Sequence, residues 1–198
     1  INDLPEAKSA IYVGDPSTKS SSLAIGKDVA VESNQYGVVA YGPSVSIVID
    51  GTVTTEDASA VSGNGSKGLA PSDITINGTV TTKNGPAIYN PQKGTLTVNG
   101  TVNGGIEAKA GNIIINDGAT VNSDSKTLTH VPNGNGTSTD GYAIAIVSND
   151  AYDGPASLTY SEKSIITGVI GYLDDKVPGT ENSVAYVSDI VGLRAALN

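Results

Sequence analysis

Apolar and polar residues alternate along this chain in short runs, and the runs repeat. The clearest copies are Asp73-Ile74-Thr75-Ile76-Asn77-Gly78-Thr79-Val80 and Thr95-Leu96-Thr97-Val98-Asn99-Gly100-Thr101-Val102. An upstream copy reads Ser46-Ile47-Val48-Ile49-Asp50-Gly51-Thr52-Val53, and a looser one runs from Asn112 to Val121. Strict alternation predicts an extended strand with one apolar and one polar face. The Asn-Gly or Asp-Gly pair predicts a turn, because Gly takes positive φ at little cost. The Thr-Val pair then starts the next extended piece.

The same grammar covers most of the chain. Successive rounds open at Ala10-Ile11-Tyr12-Val13, Gly37-Val38-Val39-Ala40-Tyr41, Ala60-Val61, Pro86-Ala87-Ile88-Tyr89, Ile106-Glu107-Ala108 and Tyr142-Ala143-Ile144-Ala145-Ile146-Val147. A long polar loop, from Asn122 to Gly141, precedes the sixth. Val53, Val80, Val102 and Val121 follow the turns at intervals of 27, 22 and 19 residues. Three short strands per period of that length predict a β-solenoid of about six coils, each burying its apolar face against its neighbours. At about 4.8 Å per coil the rod is about 25–30 Å long. Ile74, Leu96 and Ile113 should stack as one inward ladder, and Ile76, Val98 and Ile115 as another. A β-sandwich is the competing fold, weakened by the recurrence of one turn sequence at coil spacing.

The ends break the pattern. Residues 1–8 read as a lead-in or N-terminal cap, 9–173 as the solenoid and 174–187 as a polar linker. Ser188-Asp189 can cap a short helix over 188–198. Ile190, Leu193 and Leu197 form its apolar stripe, which either covers the open end of the solenoid or joins sister helices into a homotrimer.

Composition sharpens this picture. The chain has 24 Gly and no Phe, Trp, Met or Cys, which suits thin stacked layers of Ile, Val, Leu and Ala. Without Cys there is no disulfide or thiol chemistry. Eleven basic against twenty acidic residues give a net charge of −9, dispersed along the chain. Nucleic acid is not an expected partner, since phosphate binding needs a clustered basic surface. Nor is membrane insertion expected, as no apolar run approaches the roughly 20 residues a spanning helix needs. The sequence opens at Ile1 without Met or a signal peptide, so a processed segment or a piece of a longer polypeptide is expected.

Ala87-Ile88-Tyr89-Asn90, the Asn-Gly-Thr-Val phrases and Asn116-Asp117-Gly118-Ala119-Thr120-Val121 resemble right-handed parallel β-helix repeats of bacterial surface proteins. Phage fibre and capsid-decoration proteins carry similar segments, often followed by a trimerising helix. The resemblance covers about residues 9–173. It implies an all-β, right-handed parallel β-helix with a short C-terminal α-helix, and an extracellular, cell-surface or virion-surface location. It implies a non-catalytic structural or adhesive role, with glycan-binding modules and a minority of polysaccharide lyases and hydrolases as alternatives.

Candidate chemistry is sparse. Lyases of this resemblance use a basic residue beside calcium-binding carboxylates, yet the only arginine, Arg194, lies outside the repeat and no Lys sits in an evident carboxylate cluster. Hydrolases need paired carboxylates at set separations, whereas Asp50, Asp73, Asp117 and Glu107 fall at turns or isolated strand positions. No catalytic residue is therefore assigned. His130, the sole histidine, reads as a solvated loop residue. No cofactor is expected; Asp150 and Asp153, or Asp174-Asp175, are weak calcium candidates without the spacing of an EF-hand. Tyr12 and Tyr89 follow inward isoleucines and are expected to point outward, with Tyr41 nearby on the intervening coil, where aromatic faces stack on sugar rings or on a partner. The Asn-Gly-Thr/Ser sequons at Asn64, Asn77, Asn99 and Asn135 are explained by the turn sequence.

Overall fold

The computed structural model describes residues 8–17, 19–123 and 127–175. The predicted helix with Ile190, Leu193 and Leu197, and nearly all of the lead-in, lie outside the described residues. Within them the chain is all strand, and it proceeds in rounds of three. The first round is β1 (Ser9–Val13), β2 (Ser21–Ile25) and β3 (Ala30–Ser33); the second is β4 (Tyr36–Ala40), β5 (Val45–Ile49) and β6 (Thr52–Thr55). The third is β7 (Val61–Ser62), β8 (Asp73–Ile76) and β9 (Thr79–Thr82), and the fourth β10 (Ile88–Asn90), β11 (Thr95–Val98) and β12 (Thr101–Asn103). The fifth is β13 (Ile106–Ala108), β14 (Asn112–Ile115) and β15 (Thr120–Asn122). A small antiparallel hairpin, β16 (Thr129–His130) with β17 (Thr139–Asp140), interrupts the sequence here. Then come β18 (Ile144–Ser148), β19 (Ser157–Tyr160) and β20 (Ile165–Thr167), and β21 (Ile170–Asp174) opens a seventh round.

Each strand pairs in parallel with its counterpart one round away, which builds three stacked sheets of seven, six and six strands. The pairing of β8 with β11 is parallel, so the sandwich alternative fails at the pair that distinguishes the two folds. The register is the one the repeats predict. Ile47, Ile74, Leu96, Ile113 and Leu158 align in one column, and Ile49, Ile76, Val98 and Ile115 in the next. Val31, Val53, Val80, Val102, Val121 and Ile166 form a third. Val38, Val61, Ile88, Ile106 and Ile144 supply the remaining wall. Nearly all are buried in one continuous core.

The turns follow a different physics from the expected one. Gly51, Gly78 and Gly100 do not adopt positive φ; of the four repeat glycines only Gly118 does, at 77°. A Cβ on Gly78 would collide with the Gly51 carbonyl, and one on Gly100 with the Gly78 carbonyl. Glycine is required there because stacked backbones approach too closely for a side chain. The residues that open these turns form an exposed ladder. Asn77 Nδ2 donates to Asp50 Oδ1 (2.6 Å), Asn99 Nδ2 to Asn77 Oδ1 (2.7 Å) and Asn116 Nδ2 to Asn99 Oδ1 (2.6 Å).

Candidate functional site

Two features outside the core gather polar chemistry. The larger is a groove of about 610 Å³ along the sheet that contains β9, β12, β15 and β20. Its floor is the outward column Thr81, Asn103, Asn122 and Thr167, in register on neighbouring strands. Asn122 Nδ2 donates to Asn103 Oδ1 (3.1 Å), and Asn103 Nδ2 to Thr81 Oγ1 (3.2 Å). The chain leaves β15 as the long loop and leaves β9 as a turn, and Asp140 of the loop and Lys83 of the turn both line the groove. A stripe of amides and hydroxyls repeating at the inter-strand spacing, about 4.8 Å, offers donors and acceptors without a dominant charge. Lys83 is held by Glu56 at 2.6 Å.

The second feature is a charge cluster sealed from solvent. It lies on the outer face of the seven-stranded sheet, where Tyr89, Glu107 and Ala145 share one register column. The long loop folds over this face. Leu128 packs on the apolar group Tyr142, Ala145, Val147 and Leu173, and the β16–β17 hairpin closes beside it. Glu107 and Lys109 are fully buried. The Glu107 carboxylate accepts from the Ser138 backbone N–H (2.9 Å to Oε2), the Thr139 N–H (2.9 Å), Ser138 Oγ (3.2 Å) and Thr139 Oγ1 (2.7 Å). Lys109 Nζ stands 3.6 Å from Glu107 Oε1 and 2.8 Å from Asp175 Oδ2, and donates to the Asn133 carbonyl at 3.0 Å. His130 Nε2 lies 2.8 Å from Asp175 Oδ1, and Asn149 Nδ2 donates to Asp175 Oδ2 at 2.9 Å. The rings of Tyr89 and Tyr152 flank Nζ, with centroids 5.9 and 5.6 Å away.

Burial governs the proton affinities here. It pushes the Glu107 carboxyl above its usual range, although bonds from Thr139 and Ser138 and the Lys109 charge oppose it. At Asp175 burial also pushes upward, but bonds from Lys109, Asn149 and His130 outweigh it and hold that carboxyl low. Burial, reinforced by the bond to Tyr152, drives the Tyr89 hydroxyl far above its usual range.

This cluster corrects four expectations. A lysine does sit among carboxylates, and Glu107 is not isolated. His130 is not a solvated loop residue, since its side chain is 5% exposed and bound to Asp175. Tyr89 does face away from the core, as its parity demands, yet it is only 7% exposed because the long loop covers it. Its hydroxyl meets that of Tyr152 at 3.0 Å. The three tyrosines therefore divide. Tyr12 and Tyr41 are 60% and 51% exposed and meet edge to face at 6.5 Å on the first two rounds. Tyr89 lies in a separate, enclosed site.

The calcium candidates are placed apart. Asp153 Oδ2 accepts from the Gly68 N–H (2.7 Å) and pairs with Lys93 (3.2 Å), and the first of these chiefly holds its carboxyl low. Asp150 is exposed on the same loop, and Asp175 is engaged as described. Among the described residues, no group of three or more His, Cys, Asp or Glu side chains converges for a metal ion. Comparison with protein-family models, with curated proteins and with solved structures finds no match.

Proposed function

We propose that the chain is a right-handed parallel β-helix serving as a non-catalytic structural and adhesive rod on an exposed surface, extracellular, on a cell or on a virion. What supports this reading above all is the continuity of the stack: in-register columns run through six rounds, with the polar Asp50–Asn77–Asn99–Asn116 ladder outside them. Such a repeat gives length and stiffness from little sequence variety. The most acid-rich cluster, around Glu107 and Asp175, is committed to internal bonds, so it works as a clamp that pins the long loop to the sheet.

The adhesive part has a specific address. The Thr81–Asn103–Asn122–Thr167 groove presents a polar stripe suited to the hydroxyls of a neutral glycan chain, and Tyr12 with Tyr41 offers an aromatic surface elsewhere. Retention on a glycan array, lost in the Asn103→Ala/Asn122→Ala double variant and kept in Tyr12→Ala, is the expected result. Retention unaffected by the double variant moves the contact away from the groove. Incubation with neutral and anionic polysaccharides tests the non-catalytic reading: reproducible product release would replace it with a polysaccharide lyase or hydrolase.

A further inference from the structure

We propose that Lys109 and Asp175 are joined by an intramolecular isopeptide bond, formed by the folded chain itself, with Glu107 as base and with Asn149 and His130 holding the carboxyl group. A buried amine touches a buried carboxyl here: Nζ to Oδ2 is 2.8 Å, and the two side chains are 0% and 3% exposed. A second acid, Glu107, stands 3.6 Å from the same nitrogen. The two oxygens of Asp175 are bonded differently. Oδ2 receives the Asn149 amide N–H at 2.9 Å, while Oδ1 faces His130 Nε2 at 2.8 Å. The Asn133 carbonyl, 3.0 Å away, and the rings of Tyr89 and Tyr152 take up the remaining approach to Nζ.

A buried amine held against a buried carboxyl suits a condensation. Glu107 takes a proton from Nζ, and its burial-raised proton affinity favours that transfer. The nitrogen then attacks Asp175 Cγ and a C–N bond forms. Negative charge gathers on Oδ2, where the Asn149 N–H already points. One Cγ–O bond breaks, and Oδ1 departs as water from beside His130. The two protons that Nζ gives up end on that oxygen, so ammonium plus carboxylate becomes amide plus water. Nothing is oxidised or reduced, and no co-reactant is needed. In bulk water hydrolysis dominates, but groups held in reactive contact reach effective molarities on the order of 10⁵ M or more. The water leaves a site that excludes solvent. The product ties the residue after β21 to the residue after β13, across 66 positions of sequence.

Intact mass under denaturing conditions, with a tryptic map, tests this on the whole chain. The expected mass is that of the sequence less one water. Acylated Lys109 resists trypsin, so a branched peptide joining 94–126 to 164–176 is expected. Lys109→Arg and Asp175→Ala each restore the uncondensed mass. Glu107→Gln leaves most of the chain uncondensed while its β-rich circular dichroism persists; full condensation in that variant would remove Glu107 from the role of base. A wild-type chain at its full sequence mass overturns the proposal and leaves an ion pair. So does a water loss found on a linear peptide, as a succinimide at Asp50-Gly51, Asp117-Gly118, Asp140-Gly141 or Asp153-Gly154 would give.

Discussion

At the scale of single residues, Glu107 and Asp175 make stability depend on pH in opposite senses. In the unfolded chain Glu107 titrates near 4.5, and in the folded chain burial raises that value. Between the two, the native state binds more protons than the unfolded state, so stability falls as pH rises through that window. Asp175 acts oppositely. Its lowered value contributes stability that is present above about 3.8 and lost as pH falls through the folded value. Thermal melts stepped upward from pH 4.5 should therefore decline, and Glu107→Gln should flatten that decline; an unchanged slope in the variant contradicts the assignment. An isopeptide bond adds a signature, since acylation abolishes the Asp175 limb and leaves that of Glu107. None of this was evident from isolated residue types. Lys109, His130 and Asp175 are far apart in sequence, and only the folding of the long loop over the sheet brings them together. One sign was present: Tyr142-Ala143-Ile144-Ala145-Ile146-Val147 is apolar without alternation, the mark of a strand buried on both faces.

At the scale of elements, the inward columns and the glycine turns carry different kinds of stability. Leu96 packs between Ile74 and Ile113 and is fully buried. Truncation to Ala removes its burial and leaves a cavity, at a cost of about 2–5 kcal/mol. Gly100→Ala adds a methyl group where the Gly78 carbonyl already lies, so neighbouring rounds must separate. Urea melts should show both variants destabilised, with the Ala at position 100 acting through backbone displacement and not through lost burial. Full stability of Gly100→Ala would show that the rounds separate easily. The repeat made the columns legible, because period-2 alternation fixes which residues face inward and recurrence fixes which of them stack. The turn chemistry was legible only in part. Asn-Gly correctly marked the turn, but a sequence motif cannot tell a glycine needed for its φ from one needed for clearance. Gly118 lies in a longer turn, four residues between Ile115 and Thr120 where the previous round has two between Val98 and Thr101, and it serves through its φ where Gly100 serves through clearance.

At the scale of the whole molecule, the described stack of parallel strands has two ends whose backbone groups and apolar layers need a cover. The first round presents β1, β2 and β3 at one end, and β19, β20 and β21 terminate the three sheets at the other. Exposed edges of this kind invite pairing with other chains and are usually covered. The helix that the sequence predicts over 188–198 is a candidate cover for such an end, and a helix of about three turns is marginal in water unless it packs on something. Packed on sister helices through Ile190, Leu193 and Leu197, it would gather three rods side by side, an arrangement suited to a fibre or a surface decoration. Light scattering at micromolar concentration should then give a trimer mass, and Ile190→Asp with Leu197→Asp should reduce it to the monomer without loss of β-rich circular dichroism. A helix that instead caps its own solenoid predicts a monomer from the outset, and the same charges would then lower the melting temperature. A monomeric mass for the unmodified chain rejects the trimer, and the melting temperature of the double variant identifies the cap.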